Sequence, residues 1–385
     1  MNVILFDVDP ANYYPLSYTR PISNFRIGIL TIKEKWQQYY KNVSVETQSF
    51  LKHKYIISIQ TDNLWINSKV LPSEELLIEI KNLRKGELLE KNGDIIAFRN
   101  KIFDVKKLNY IESNANFITV ENICDIFIYN DIEIKNDFKI LTKNRKSAIV
   151  DSNNTIIGDN IFIENGANIS CSILNSDQGP IYIGKNSQVM EGSIIKGPFA
   201  MLDNSVLKMG AKIYGATTLG PFCKIGGEVN NSVLFGYSSK AHDGFLGNSV
   251  IGEWCNLGAG TNISNLKNNY DEVRLWNYKL ESFQNTNLQF CGLVMGDHSK
   301  SSINTMFNTG TVVGVNSNIY GSGFPRNFVP SFSWGGANGF KVFDLDKAFL
   351  VAEKVYLRRN IKFSTLDREI LHEVFNMTKC YRNSY

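Results

Sequence analysis

The sequence predicts an α/β domain followed by a parallel β-helix that C-terminal helices close. Three observations carry this prediction. Val3-Ile4-Leu5-Phe6 is a short apolar run ending in Asp7, the pattern of a buried strand opening an α/β domain. From Ile157 to Ile225 apolar residues return at every sixth position, with one small insertion. Beyond residue 340 the apolar spacing becomes helical. The boundaries read from these changes are 1–105 for the α/β domain, 106–150 for a linker, 151–330 for the β-helix and 340–385 for the helical extension.

At 385 residues, 43% apolar and 20% charged, the chain has the make-up of a globular protein with room for a large core. Its 41 basic and 37 acidic residues leave a formal net charge of +4. That excess is too small for a dedicated nucleic-acid binder, so no nucleic-acid partner is expected, but it is compatible with local cationic pockets for phosphates. The six cysteines include no C-x-x-C pair, which predicts reduced thiols rather than a disulfide framework or a zinc ribbon. Met1–Asp7 lacks the basic start of a signal peptide, and no apolar run is long enough to span a bilayer. A cytoplasmic protein without a membrane partner is expected.

After the first strand, Tyr55–Ile59, Leu64–Ile66 and Ile95–Phe98 read as strands. Ile27–Tyr40 and Ser73–Leu83 read as helices, the latter with Ser73 as N-cap ahead of Glu74 and Glu75. Alternating strands and helices predict a parallel sheet covered by helices. Just after the first strand stands Tyr14-Pro15-Leu16-Ser17-Tyr18-Thr19-Arg20-Pro21. This segment resembles the tail of the nucleotide-binding signature of sugar-1-phosphate nucleotidyltransferases. The resemblance implies that Arg20 contacts nucleotide phosphates and that Mg2+ is needed if the domain is active. Asp7–Asn12 has no glycine where that family carries its Gly-rich loop, Ile22 stands in place of a lysine, and Asn67-Ser68-Lys69 lies roughly where an Asn-Gly-Asp is expected. The alternative is a turn with a surface arginine. Residues 103–150, rich in Asn, Lys and Asp with one apolar run at Ile123–Ile128, read as the connection.

The hexad positions are Ile157, Ile163 and Ile169, then Ile183, Val189, Ile195, Met201, Leu207, Ile213, Leu219 and Ile225. Such repeats specify a parallel β-helix, in which each hexad contributes a short strand and a turn and the apolar residue points into a central column. Resemblance to hexapeptide acyltransferases implies the left-handed form. Glycine follows the apolar residue at Gly158, Gly184, Gly220 and Gly226, where a permissive corner residue is expected. Register is lost at Asn231, returns at Ile251, Leu257 and Ile263, breaks again over 265–293, and resumes at Phe307, Val313 and Ile319. The second break carries an amphipathic run around Trp276–Leu280. Beyond it, Leu345, Phe349, Ala352 and Tyr356 fit one helix, and Ser364 with Asp367 reads as a capping box opening another.

Inside the first break, Lys240-Ala241-His242-Asp243-Gly244 is followed by Asn256-Leu257-Gly258-Ala259-Gly260-Thr261. A histidine in a loop facing a glycine-rich corner suits acyl transfer. The imidazole can take the proton of an attacking amine, and backbone N–H groups around Gly258–Gly260 can stabilise a developing oxyanion. The same stretch resembles the acetyltransferase half of the bifunctional enzymes that make UDP-N-acetylglucosamine, through Lys240-Ala-His242, Gly247-Asn248-Ser-Val-Ile251-Gly252 and Asn256-Leu-Gly258-Ala259-Gly260-Thr261. The whole chain looks like a shorter form of that family with a degenerate nucleotidyltransferase domain.

The resemblance implies a transferase using acetyl-coenzyme A as co-substrate, with an amino-sugar phosphate or nucleotide sugar as small-molecule partner. His242 becomes the general base, Lys240, Asn256 and Asn265 substrate contacts, and Gly258, Ala259 and Gly260 with Arg326 the acetyl-coenzyme A contacts. It also implies a homotrimer. Phe245 stands where the family has a tyrosine, Asn230 and Asn231 replace paired lysines, and Tyr214 replaces an arginine. The rival readings are a uridylyl or thymidylyl transferase acting through the first domain, and a non-catalytic regulatory or assembly protein. A zinc site at His242 and His298 would need a third histidine, so no metal site is expected there.

Overall fold

The structure, a computed structural model, describes residues 1–382. It divides into two compact units, the first made of residues 1–13, 19–25 and 30–122, the second of 14–18, 26–29 and 123 onward.

The first unit contains β1 (Asn2–Phe6), α1 (Ile32–Gln37), β2 (Asn42–Glu46), β3 (Asn63–Asn67), α2 (Glu74–Asn82), β4 (Glu87–Lys91), β5 (Asp94–Asn100) and β6 (Asn109–Glu112). They form one sheet in the order β2-β1-β3-β5-β4-β6. β1 pairs in parallel with β2 and β3, but β5 runs antiparallel to β3 and β4. The sheet is therefore mixed, not parallel as expected. The cause is the Asn92-Gly93 turn between β4 and β5, where both residues have positive φ (54° and 83°) and so close a two-residue hairpin without a helical crossover.

Tyr55–Ile59 forms no strand, and its Ile56 and Ile59 are exposed. Of Ile27–Tyr40 only α1 is helical, started by a capping box between Thr31 and Glu34. α2 begins as read, with Ser73 Oγ accepting from Leu76 N–H at 3.2 Å. Ile4, Phe6, Trp65, Leu88 and Phe98 form an apolar cluster on the sheet, with the Trp65 and Phe98 rings stacked 5.7 Å apart.

The second unit is a left-handed parallel β-helix preceded by α3 (Asp125–Ile128) and α4 (Asn130–Thr142). Its first wall runs from Thr155–Ile157 to Phe245–Gly247, its second has nine strands from Ile161–Ile163 to Phe328–Val329, and its third runs from Asn168–Ile169 to Ser239–Lys240. Lys300–Ser301 and Asn318–Ile319 continue the third wall. Inward residues stack in ladders: Leu174, Ile195 and Ile213 on the first wall, Ile183, Met201 and Leu219 on the second, Val189, Leu207 and Ile225 on the third. All are buried in one continuous core. Stacking identical hexads buries each rung against the next, so no coil is stable alone.

Several details depart from the sequence reading. Ile156 and Ile157 are both exposed in this first strand; by register the inward column of the first wall runs from Ile156 to Leu174, one residue off the expected phase. Among the four corner glycines only Gly158 has positive φ, 79°. Gly220 is needed for close approach instead, since a Cβ there would lie 1.8 Å from Phe235 O in the next coil. Left-handed corners are held largely by asparagines such as Asn186, Asn204, Asn304 and Asn316, with φ between 54° and 60°.

The amphipathic run at 276–280 belongs to an antiparallel hairpin, Arg274–Asn277 with Ser282–Asn285. α4 lies on the outside of the second wall, where Ile134 packs with Phe162, Tyr182 and Ala200. The far end carries α5 (Leu345–Leu357), α6 (Thr365–Met377), which opens with the expected Ser364–Asp367 capping box, and α7 (Lys379–Arg382). All six cysteines are free thiols, with Cys124 and Cys291 sulfurs 3.9 Å apart.

Candidate functional site

His242 occupies the corner between the third wall (Ser239–Lys240) and the first (Phe245–Gly247). The coils around it are shorter than three hexads, and that is why periodicity is lost at Asn231. The ladder itself continues: Ile213 is followed by Val229 and Leu246, and Leu219 by Leu234 and Ile251. The histidine is therefore presented by a tight corner, not by a displaced loop.

On the third wall the rung after Ile225 is Lys240. A lysine occupies a position that Val189, Leu207 and Ile225 fill elsewhere, and it is 1% exposed. Its Nζ donates to Gly226 O at 2.9 Å and to His242 O at 2.8 Å. Burial pushes its pKa down to about 8, partly opposed by the Asp243 and Glu228 charges. Lys240 was expected to touch substrate; its ammonium is instead turned inward and shapes the backbone that carries His242.

The corner is also tied to the next coil. Gly260 N–H donates to Asp243 O at 3.0 Å, and Phe245 N–H to Asn262 Oδ1 at 2.9 Å. Gly244, at φ 121°, passes so close that a Cβ would lie 2.1 Å from Thr261 O. The His242 side chain is exposed and, among the described residues, its ring has no hydrogen-bond partner. Of the backbone donors expected for an oxyanion, two are occupied, since Gly258 N–H donates to Ser301 O at 3.1 Å and Gly260 N–H to Asp243 O. Ala259 N–H alone of the three donates to no backbone acceptor among the described residues.

The remaining expected residues separate. Asn256 is exposed on the outer face of the third wall, bridged to Ser239 and Lys300. Asn265 lies at the opposite edge of the first wall, its Nδ2 donating to Asn248 Oδ1 at 2.8 Å. Arg326 lines a different cavity, of about 620 Å³, with Lys267, Arg274, Trp276 and Phe328. Tyr214, in place of an arginine, donates its hydroxyl to Glu228 at 2.5 Å. One feature had no counterpart in the sequence reading: a cleft of about 400 Å³ beside Ala241 and Asn256 that is lined by Lys224, Lys300, Arg358 and Arg359. The hexad phase marks Lys224 as outward, but Arg358 and Arg359 reach the wall only through the path of α5.

In the first unit Arg20 is buried, 4% exposed. Asp7 accepts from Thr47 Oγ1 at 2.6 Å and Ile22 N–H at 3.2 Å, and burial raises its pKa to about 7. Asn67 Nδ2 is bonded to Ile95 O at 2.9 Å, while Lys69 Nζ is paired with Asp94 at 2.9 Å and Glu121 at 2.8 Å. A carboxylate already accepting from Thr47 and Ile22 and a lysine at the Asn-Gly-Asp position do not fit a Mg2+ ion. Among the described residues no group of three or more His, Cys, Asp or Glu could hold a metal.

Residues 3–146 match the family model for sugar nucleotidyl transferases. The bifunctional sugar-1-phosphate nucleotidylyltransferase/acetyltransferase of Sulfurisphaera tokodaii is 29% identical over 296 residues, covering 76% of this chain and 69% of that protein. This chain is similar to the bifunctional sugar nucleotidyltransferase/acetyltransferases. The bifunctional protein GlmU of Wigglesworthia glossinidia brevipalpis is 24% identical over 315 residues, 79% of this chain and 59% of the relative. That of Methanococcus vannielii is 27% identical over 260 residues, 67% of this chain and 56% of the relative. The match to these two GlmU proteins thus spans little more than half of their length. No helix among the described residues is long and apolar enough to cross a membrane.

Proposed function

We propose that this chain transfers an acetyl group from acetyl-coenzyme A to the amine of an amino-sugar phosphate or nucleotide sugar. The observation that carries this reading is the exposed His242 imidazole on a corner hydrogen-bonded to the Gly258–Gly260 corner of the next coil. His242 takes the proton of the attacking amine, since a neutral imidazole is basic enough at neutral pH. Ala259 N–H donates to the thioester oxygen as it becomes negative. Lys240 acts beneath them as a positioning residue, holding the His242 carbonyl. Asn256 contacts the acceptor from the third wall. Similarity to bifunctional acetyltransferases supports this chemistry, and a homotrimer, as hexapeptide acyltransferases form, would add groups from a neighbouring β-helix.

The test is His242→Ala, assayed for thiol release from acetyl-coenzyme A across amino-sugar phosphates and by circular dichroism. The variant is expected to fold normally and to lose at least 100-fold in kcat, the scale of general-base removal; turnover at the parent rate would overturn the assignment.

A second reading, uridylyl or thymidylyl transfer to a sugar-1-phosphate by the first unit, is favoured by the family match over residues 3–146. The buried Arg20, the hydrogen-bonded Asp7 and the paired Lys69 weigh against it.

A further inference from the structure

The third wall carries an outward column in which Lys224, Ser239, Asn256 and Lys300 occupy successive coils. With neighbouring strands about 4.8 Å apart, the two lysine backbones stand roughly 14 Å from each other. Across from them, the C-terminal end of α5 places Arg358 and Arg359 over the same cleft. The floor is aromatic: Tyr237 stacks on Trp254 at 4.2 Å, and Trp254 on Tyr356 at 3.9 Å.

Four cations thus converge on a cleft of about 400 Å³ that no carboxylate lines. Among the described residues none of the four is in an ion pair, and Arg359 Nε is buried without a hydrogen-bond partner. Lys300 Nζ donates to His298 O at 2.7 Å, leaving its other protons for a ligand. The electrostatics are self-repelling. Burial first, then Arg359 and other nearby cations, hold the Lys224 ammonium below its ordinary value, and burial followed by Arg358 does the same to Arg359. The negative end of the α5 dipole contributes only about half a charge against four. Such a concentration of unpaired, partly desolvated cations lowers its energy most by taking up an anion of comparable charge.

We propose that this cleft binds the phosphate or pyrophosphate of the acceptor, so that the substrate enters beside His242 as a phosphorylated sugar. The cleft borders Ala241, next to the proposed base, and Asn256. The cations come from a wall and a helix, whereas Tyr214, Asn230 and Asn231 offer none on the first wall. Assignment of the ligand as acceptor rests on the acetyltransfer reading; the anion site itself does not.

Calorimetric titration of the full chain with inorganic pyrophosphate and orthophosphate tests it, together with Lys224→Ala and Arg359→Ala. Pyrophosphate is expected to bind at least tenfold more tightly than orthophosphate, to weaken with added salt, and to lose about tenfold in affinity in each variant. Lys224→Ala leaves α5 untouched, so its result stands even if Arg359→Ala disturbs helix packing. Absence of binding, or binding unchanged in both variants, would overturn the site. UDP and coenzyme A are then used as competitors. Displacement by UDP supports an acceptor site, and displacement by coenzyme A alone overturns that assignment in favour of the donor. His242→Ala should bind pyrophosphate like the parent. A parent protein that binds pyrophosphate yet acetylates no amino sugar would therefore refute the proposed activity and leave the anion site standing.

Discussion

Replacing Lys240 by methionine isolates the energetic effect of a charged rung. In the folded chain burial holds the ammonium near pKa 8 against an ordinary 10.5. At about 1.4 kcal/mol per pH decade, that difference opposes the charged form by about 3 kcal/mol. That balance already includes the two hydrogen bonds from the charged donor, to Gly226 O and His242 O, whose acceptors Lys240→Met leaves unpaired at about 1–3 kcal/mol each. Near pH 7.5 the charge relieved and the acceptors orphaned are of similar size, so Lys240→Met is expected to lie within about 3 kcal/mol of the parent. The pH dependence separates them. Because the unfolded chain holds the Lys240 proton up to about 10.5 and the folded chain releases it near 8, parent stability should climb as pH rises through that window.

Lys300, also pushed down to about 8 by burial, adds a climb of the same sign but is present in both proteins and drops out of the difference. Urea unfolding of parent and variant at pH 7.5 and 10.5 should therefore show the parent gaining about 3 kcal/mol more than Lys240→Met. Parallel stability curves would refute the buried-rung account and return Lys240 to the surface.

Leu234→Ala should destabilise the β-helix by about 2–5 kcal/mol in the same assay, since Leu234 is a buried rung between Leu219 and Ile251; a loss under about 1 kcal/mol would mean the ladder does lapse there. The first unit is expected to release no Mg2+-dependent pyrophosphate from UTP or dTTP with sugar-1-phosphates. Release that Arg20→Ala abolishes would instead establish the nucleotidyltransferase reading.

The β-helix was legible because its hexads obey a rigid rule: inward residues from Ile183 to Ile225 are apolar at every sixth position and all are buried. The rule fails where coils shorten. A coil a few residues short moves every later rung out of phase, so Val229, Leu234 and Leu246 escaped the count although each is buried. Lys240 escaped for a different reason. Its type suggests solvent, and only the two carbonyls that receive its ammonium make the interior position tolerable. In the first unit the alternation of strands and helices hid the Asn92-Gly93 hairpin, whose local turn chemistry overrode the parallel expectation.

The candidate site divides along the same line. The motif named His242 and Ala259 as candidates because both lie on corners that a short stretch of sequence defines. It misplaced Lys240, and it could not anticipate a cleft to which α5 contributes Arg358 and Arg359 from more than a hundred residues downstream. Shortening the coils is what joins the two features. It brings a lysine into the ladder directly beneath the histidine and sets Lys224, Ser239 and Asn256 in one outward column, which Lys300 rejoins after the insertion that carries the 274–285 hairpin. The loss of periodicity at Asn231 thus falls where the residues of the candidate site come into line.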